Sequence, residues 1–148
     1  TILKRTQMRS QKNKLQVNKF SPATEEQIFA NLTNPDIIEK CFCPEGMEAK
    51  VDEWDVLIDG QLRISLTDGE EVYTSIGKFK EVTPPHKLVF TYGWEEDDQV
   101  ETLVTIELKK LDNGVDIILT QEGIDQEEIA ELKKSWLHAL TNLTKQIV

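Results

Sequence analysis

The stretch EVTPPHKLVFTYGWEEDD, residues 81–98, turns at Pro84-Pro85 and then sets Phe90, Tyr92 and Trp94 two positions apart. Side chains alternate between the two sides of a strand, so this spacing places the three rings on a core-facing side, with Val89, Thr91 and Gly93 opposite and facing water. Leu62, Ile64 and Leu66 share a side against Arg63, Ser65 and Thr67, and Val104, Ile106 and Leu108 share one against Leu103, Thr105 and Glu107. Val115, Ile117 and Leu119 continue the inner row, with Ile118 breaking the alternation. Asp59-Gly60, Asp68-Gly69, Pro84-Pro85 and Asn113-Gly114 punctuate residues 47–122, so this region reads as an antiparallel meander. For residues 72–79 the pattern does not select an inner side.

On either side of the meander the period changes. Leu15, Val17 and Lys19 alternate with Gln16, Asn18 and Phe20, which predicts a first strand ending at Ser21-Pro22. Thr24 and Gln27 have the spacing of a capping box, and Ile28, Phe29 and Leu32 recur at helical spacing until Asn34-Pro35; a second short helix through Ile37 and Ile38 follows. After Gly123, Asp125 and Glu128 predict another capping box. Ile129, Leu132, Trp136, Leu137, Leu140, Leu143 and Ile147 then form one broad apolar stripe. A one-sided helix and a one-sided sheet each need the other for burial, so the expected fold is α+β, with the long closing helix against the rings of the sheet.

The chain has 148 residues, enough for one domain that buries about two thirds of its unfolded surface. Its 27 acidic against 17 basic residues, a net charge of −10, disfavour nucleic acid as a partner, because phosphate attraction dominates such contacts. Residues 1–14 run against that balance, with Lys4, Arg5, Arg9, Lys12 and Lys14 and no acid; a flexible basic terminus is preferred over a recognition arm, leaving residues 15–148 as the domain. No apolar run approaches the roughly 20 residues of a membrane span. Ile2, Leu3 and Met8 do not make a secretory core, so a cytoplasmic protein is expected and the two Asn-x-Thr matches at Asn31 and Asn142 are read as chance. Two cysteines, Cys41 and Cys43, fit a reducing compartment.

Order and local residues together resemble the helix-grip (START-like, SRPBCC) superfamily, in the branch named for activators of the heat-shock protein 90 ATPase. The resemblance covers residues 15–148 and rests on Ser21-Pro22 with Ile28-Phe29, the Asn34-Pro35 break, Cys41-Phe42-Cys43-Pro44, Asp59-Gly60 before Leu62-Arg63, and Gly77 followed by Glu81 to Pro85. Leu88 to Thr91, Asn113-Gly114 before Ile117 to Gln121, and Ser135-Trp136 with Leu140 complete it. It implies an antiparallel sheet curled around the long C-terminal helix (the helix-grip fold), often with a hydrophobic cavity between them. The chain departs from the family at Cys41, where tryptophan is common, and at Asp59-Gly60, where two glycines are common; the first departure bears on the cavity entrance near Phe42.

The candidate chemistry is that of a binding cavity. Phe90, Tyr92, Trp94, Trp54, Phe42 and Trp136, with Ile64, Val104, Ile117 and Leu140, are candidate walls for a small apolar or amphipathic molecule, although ordinary core packing accounts for each ring as well. Lys133 falls inside the arc of Ile129, Trp136 and Leu140; the preferred reading is that it snorkels to water, the alternative that it meets a ligand's acidic group. Cys41 and Cys43 supply two of the four ligands that a structural zinc site wants, and His86 in the turn and His138 on the outer side of the helix are not placed to complete it, nor to act as a catalytic base. Exposed adjacent thiols would still be open to oxidants. Glu95 to Asp98 read as a solvated loop tip. The expectation is a non-enzymatic ligand-binding domain needing no cofactor. A protein-interaction module, including a chaperone ATPase regulator, is the alternative, and a cyclase- or hydrolase-like enzyme a third reading that lacks a converging ionisable pair.

Overall fold

The computed structural model describes residues 13–44, 46–96 and 101–146. Strand β1 (Asn13–Ser21) is followed by helices α1 (Glu25–Leu32) and α2 (Pro35–Cys41). Strands β2 (Glu48–Trp54), β3 (Gln61–Thr67), β4 (Val72–Thr83), β5 (Lys87–Trp94), β6 (Glu101–Leu111) and β7 (Gly114–Ile124) form the meander, and α3 (Ile129–Lys145) closes the chain. All pairings are antiparallel and the sheet order is β1-β7-β6-β5-β4-β3-β2. This is the helix-grip fold: one seven-stranded sheet, two short helices after its first strand, and a long terminal helix.

The helix starts obey local chemistry. Thr24 Oγ1 accepts the Gln27 amide at 3.1 Å and Gln27 Oε1 accepts the Thr24 amide at 2.9 Å, the reciprocal box that the sequence predicts. Asn34 caps α2 by accepting the Asp36 amide, and Pro35 occupies the first turn, where its missing N–H costs nothing. The predicted Asp125 box does not form. A 3-10 turn, Gln126–Glu128, intervenes, and α3 starts at Ile129 without a side-chain cap. A chain leaving β7 must turn sharply to cross the concave face, and the tighter turn performs that change of direction.

The inner rows fall where alternation places them. Leu62, Ile64 and Leu66, Val104, Ile106 and Leu108, and Val115, Ile117 and Leu119 are all buried. Between them β4 contributes Ser75, opposite Ile64 on one side and Trp94 on the other, and Phe79 opposite Phe90. From α3, Trp136, Ala139, Leu140 and Leu143 are buried, whereas Leu137 is exposed despite its place in the sequence stripe. Ile147 lies outside the described residues, as do residues 1–12 of the basic terminus, while Asn13 and Lys14 belong to β1.

Two expectations for β5 need correction. Val89 and Thr91, expected to face water, are buried on the outer side. At Gly77 the backbones of β4 and β5 approach so closely that the Thr91 side chain enters the seam, its Oγ1 accepting the Lys78 amide at 2.9 Å, while Val89 sits beside a bulge in β4. Trp94 keeps its place in the inner row but lies at the strand's end and is 45% exposed.

Candidate ligand cleft

The space between sheet and helix is largely filled by aromatic side chains. Trp136 meets Phe42 edge to face at 5.3 Å between centroids, Phe42 meets Trp54 at 5.7 Å, Trp54 meets Phe90 at 5.9 Å, Phe90 meets Tyr92 at 5.9 Å, and Tyr92 returns to Trp136 at 5.6 Å. Phe79 adjoins the circuit through Trp54 and Phe90. Such pairs contribute about 0.5–1.5 kcal/mol each beyond their burial, so the closed circuit is a rigid floor.

The circuit's polar atoms are tied to the scaffold. Trp54 Nε1 donates to the Leu32 carbonyl at 2.7 Å, joining β2 to α1. Trp136 Nε1 donates to Gln121 Oε1 at 2.7 Å; Gln121 Nε2 donates to Thr102 Oγ1 at 2.9 Å, and that hydroxyl donates to the Tyr92 carbonyl at 2.6 Å. This relay fixes α3 against β7, β6 and β5. Burial pushes the Tyr92 phenol above its ordinary range. The Ser75 hydroxyl is itself buried and meets no partner in hydrogen-bond geometry. Ser75→Ala is therefore expected to leave stability unchanged or raise it by up to about 1 kcal/mol, since no bond is lost and a desolvated hydroxyl is removed. Urea unfolding would check this, and a loss above 1 kcal/mol would mean that the hydroxyl is bonded.

Above this floor a cleft remains, with a volume of about 100 Å³, between the Cys41–Pro44 segment, the end of β5 and α3. Phe42, Tyr92, Trp94 and Trp136 line it, with Leu66, Leu132 and Ala139 among the other walls. Of the residues singled out from sequence, these four rings converge on the opening. Trp54 and Phe90 lie in the floor, and Ile64, Val104, Ile117 and Leu140 are fully enclosed core that the cleft does not reach. Lys133 is exposed and does not line the cleft, so the inward alternative is corrected: although its helical angle falls within the inner arc, it lies near the start of α3, where its side chain reaches water. A larger outer groove of about 380 Å³ runs along β3 to β6, with Glu53, Arg63, Lys78, Lys80 and Glu101 on its walls, and lies outside the grip of sheet and helix.

The remaining sequence candidates resolve into structural roles. Cys41 is buried, and burial pushes its thiol up to about 12; Cys43 is half-buried, is also shifted upward by burial, and donates to the Met47 carbonyl at 2.8 Å. The picture of two exposed, oxidant-accessible thiols is thus corrected for Cys41, since the residue that stands where the family commonly has tryptophan packs inward. His86 is exposed but not merely solvated: its Nδ1 lies 2.7 Å from Oε2 of buried Glu25, tying the β4–β5 turn to α1. His138 is exposed on α3 beside Asn142. Glu95 pairs with Arg63, whose guanidinium holds the carboxyl below its ordinary range, whereas Asp97 and Asp98 lie outside the described residues.

A helix gripped by a curled antiparallel sheet, with an aromatic-floored opening at the same place, is the arrangement that the sequence resemblance implies. The family model described as Activator of Hsp90 ATPase homolog 1-like protein matches residues 22–147. The chain belongs to that family. Among solved structures, a Chromobacterium violaceum protein is similar at a TM-score of 0.84 and 22% identity, over 91% of this chain and 96% of that one. A Rhodobacter sphaeroides protein is similar at 0.80 and 22%, over 90% of each chain. CalU16 from Micromonospora echinospora is similar at 0.68 and 18%, over 92% of this chain and 76% of its own. These likenesses establish the shared fold. No curated protein matches the chain.

Within the family fold, sequence reasoning did not single out Leu66, Leu132 and Ala139 as cleft walls, or Gln121 as the anchor of Trp136. Ala139 sits three residues after Trp136 on α3, a spacing that could have marked it as a small residue on the same face. Gln121 follows Leu119 in the inner row of β7, and a polar residue in an apolar row is the signal of a buried hydrogen bond. Asp59, one of the departures from the family pattern, has φ of 65°, the left-handed region where glycine is favoured.

Proposed function

We propose that this family member is a non-enzymatic, cytoplasmic binding domain for a small apolar or amphipathic molecule, seated in the cleft between the Cys41–Pro44 segment and α3. The observation that carries this reading is a concave apolar opening on an aromatic floor, with Tyr92 among its walls. About 100 Å³ is well below the roughly 300–1,000 Å³ of drug-sized sites, so the ligand is limited to one ring or a short chain unless Trp94 swings away. The upward-shifted Tyr92 and Cys41 hold their protons at neutral pH, so neither is a ready general base or thiolate nucleophile there. Among the described residues no helix is long and apolar enough to cross a membrane.

Native mass spectrometry of the protein purified from its own host tests the reading. A copurified small molecule is expected, and Leu132→Trp, which fills the cleft from α3, is expected to expel it. A second reading, a protein-interaction module such as a chaperone regulator, is favoured by the filled interior and by the exposure of Trp94 and Val72. Protein that is repeatedly empty would move the assignment to that reading.

A further inference from the structure

Trp94 borders other spaces besides the cleft, the outer groove among them. The same indole also lines a second concavity at the open end of β4 and β5, together with Glu71, Val72, Tyr73 and Glu96. Val72 is 62% exposed, and the Tyr73 and Trp94 rings meet edge to face at 6.4 Å. The Tyr73 hydroxyl donates to Glu71 Oε2 at 2.6 Å, which holds that carboxylate beside the rings. Asp68 Oδ1 accepts the amides of Glu70 and Glu71 at 2.9 and 3.0 Å, so the backbone carrying Glu71 is itself braced. Glu95 is already matched by Arg63, whereas among the described residues none that lines this concavity is a cation.

Two aromatic rings and two carboxylates around one concavity attract positive charge, the rings through their electron-rich faces and the acids by Coulomb attraction. An anion would meet Glu71 and Glu96 directly, on a chain whose net charge is already −10. A neutral molecule would draw no Coulomb attraction from Glu71 and Glu96. Trp94 is common to both linings, so the acidic concavity adjoins the apolar walls Phe42, Tyr92 and Trp136.

We propose that the cleft's ligand is a small cationic amphiphile, with its single ring or short chain in the cleft and its ammonium group at Trp94, Tyr73, Glu71 and Glu96. This assignment rests on the ligand-cleft reading and adds the charge of the head group to it.

Calorimetric titration of the full chain with three probes of similar shape tests it: phenethylammonium, phenethyl alcohol and phenylpropanoate. The ammonium is expected to bind about tenfold more tightly than the alcohol at low salt, and the carboxylate most weakly. Glu71→Gln combined with Glu96→Gln is expected to abolish that preference while leaving the alcohol's affinity unchanged, since both side chains are exposed and outside the cleft floor. Equal binding of ammonium and alcohol would overturn the cationic assignment and leave the cleft reading standing. No binding by any probe would overturn both. A tenfold preference that survives the double substitution would put the ammonium elsewhere and overturn this site.

Discussion

Trp136→Ala is expected to destabilise the protein by about 3–5 kcal/mol, the range for truncating a large buried aromatic side chain, and to lower Tm by roughly 10 °C. Trp136 is only 6% exposed, closes the aromatic circuit through Phe42 and Tyr92, and bonds Gln121 through its indole nitrogen. Alanine removes both ring contacts and leaves a buried acceptor of Gln121 unpaired. Trp136→Phe separates these effects: it retains much of the packing and loses the hydrogen bond, so it should cost about 1–3 kcal/mol. Urea unfolding followed by far-ultraviolet circular dichroism measures both. A loss below 1 kcal/mol for the alanine variant would show that α3 is not held to the sheet at this residue.

Gly77→Ala is expected to cost on the order of 3 kcal/mol through a wholly different mechanism, overpacking of the sheet itself. A Cβ at position 77 would lie 1.8 Å from the Thr91 carbonyl oxygen and 2.7 Å from its carbon. Those are backbone atoms and cannot rotate aside, so β4 and β5 would have to part. The Lys78 amide, which donates to Thr91 Oγ1 at the same seam, should then lose protection from hydrogen exchange. Unchanged stability and unchanged exchange at Lys78 would contradict the close approach of the two strands.

The seam also explains why part of β4 and β5 was not legible in the sequence. Alternation assigns Thr91 to water, since a strand pattern assumes that only one side of a sheet is covered. A glycine that admits a neighbouring backbone alters that locally, and a single sequence does not say which glycine does so. Residues 72–79 were ambiguous for a related reason: both Thr74 and Ser75 are buried, so no polar and apolar alternation exists to read. By contrast, the Thr24–Gln27 box and the Asn34-Pro35 break with a short helix after it depend on near neighbours in the chain, and both form as predicted.

The candidate site divides along the same line. Tyr92, Trp94 and Trp136 were identifiable from sequence because large rings at strand and helix spacing must face an apolar partner, and Phe42 through the Cys41–Pro44 segment of the family resemblance. Their sorting was not. Phe90 and Trp54 became floor, Ile64, Val104, Ile117 and Leu140 became closed core, and Trp94 became the wall shared by the cleft and the acidic concavity.

The order of elements, the inner rows of the central strands and the apolar stripe of α3 follow from the sequence by itself, because alternation and helical periodicity report which side of each element avoids water. The tertiary structure alone decided how much room remains between those surfaces, where the opening lies and which charges stand beside it. Volume and proximity depend on how side chains from distant segments fill a common space, and no local period encodes that.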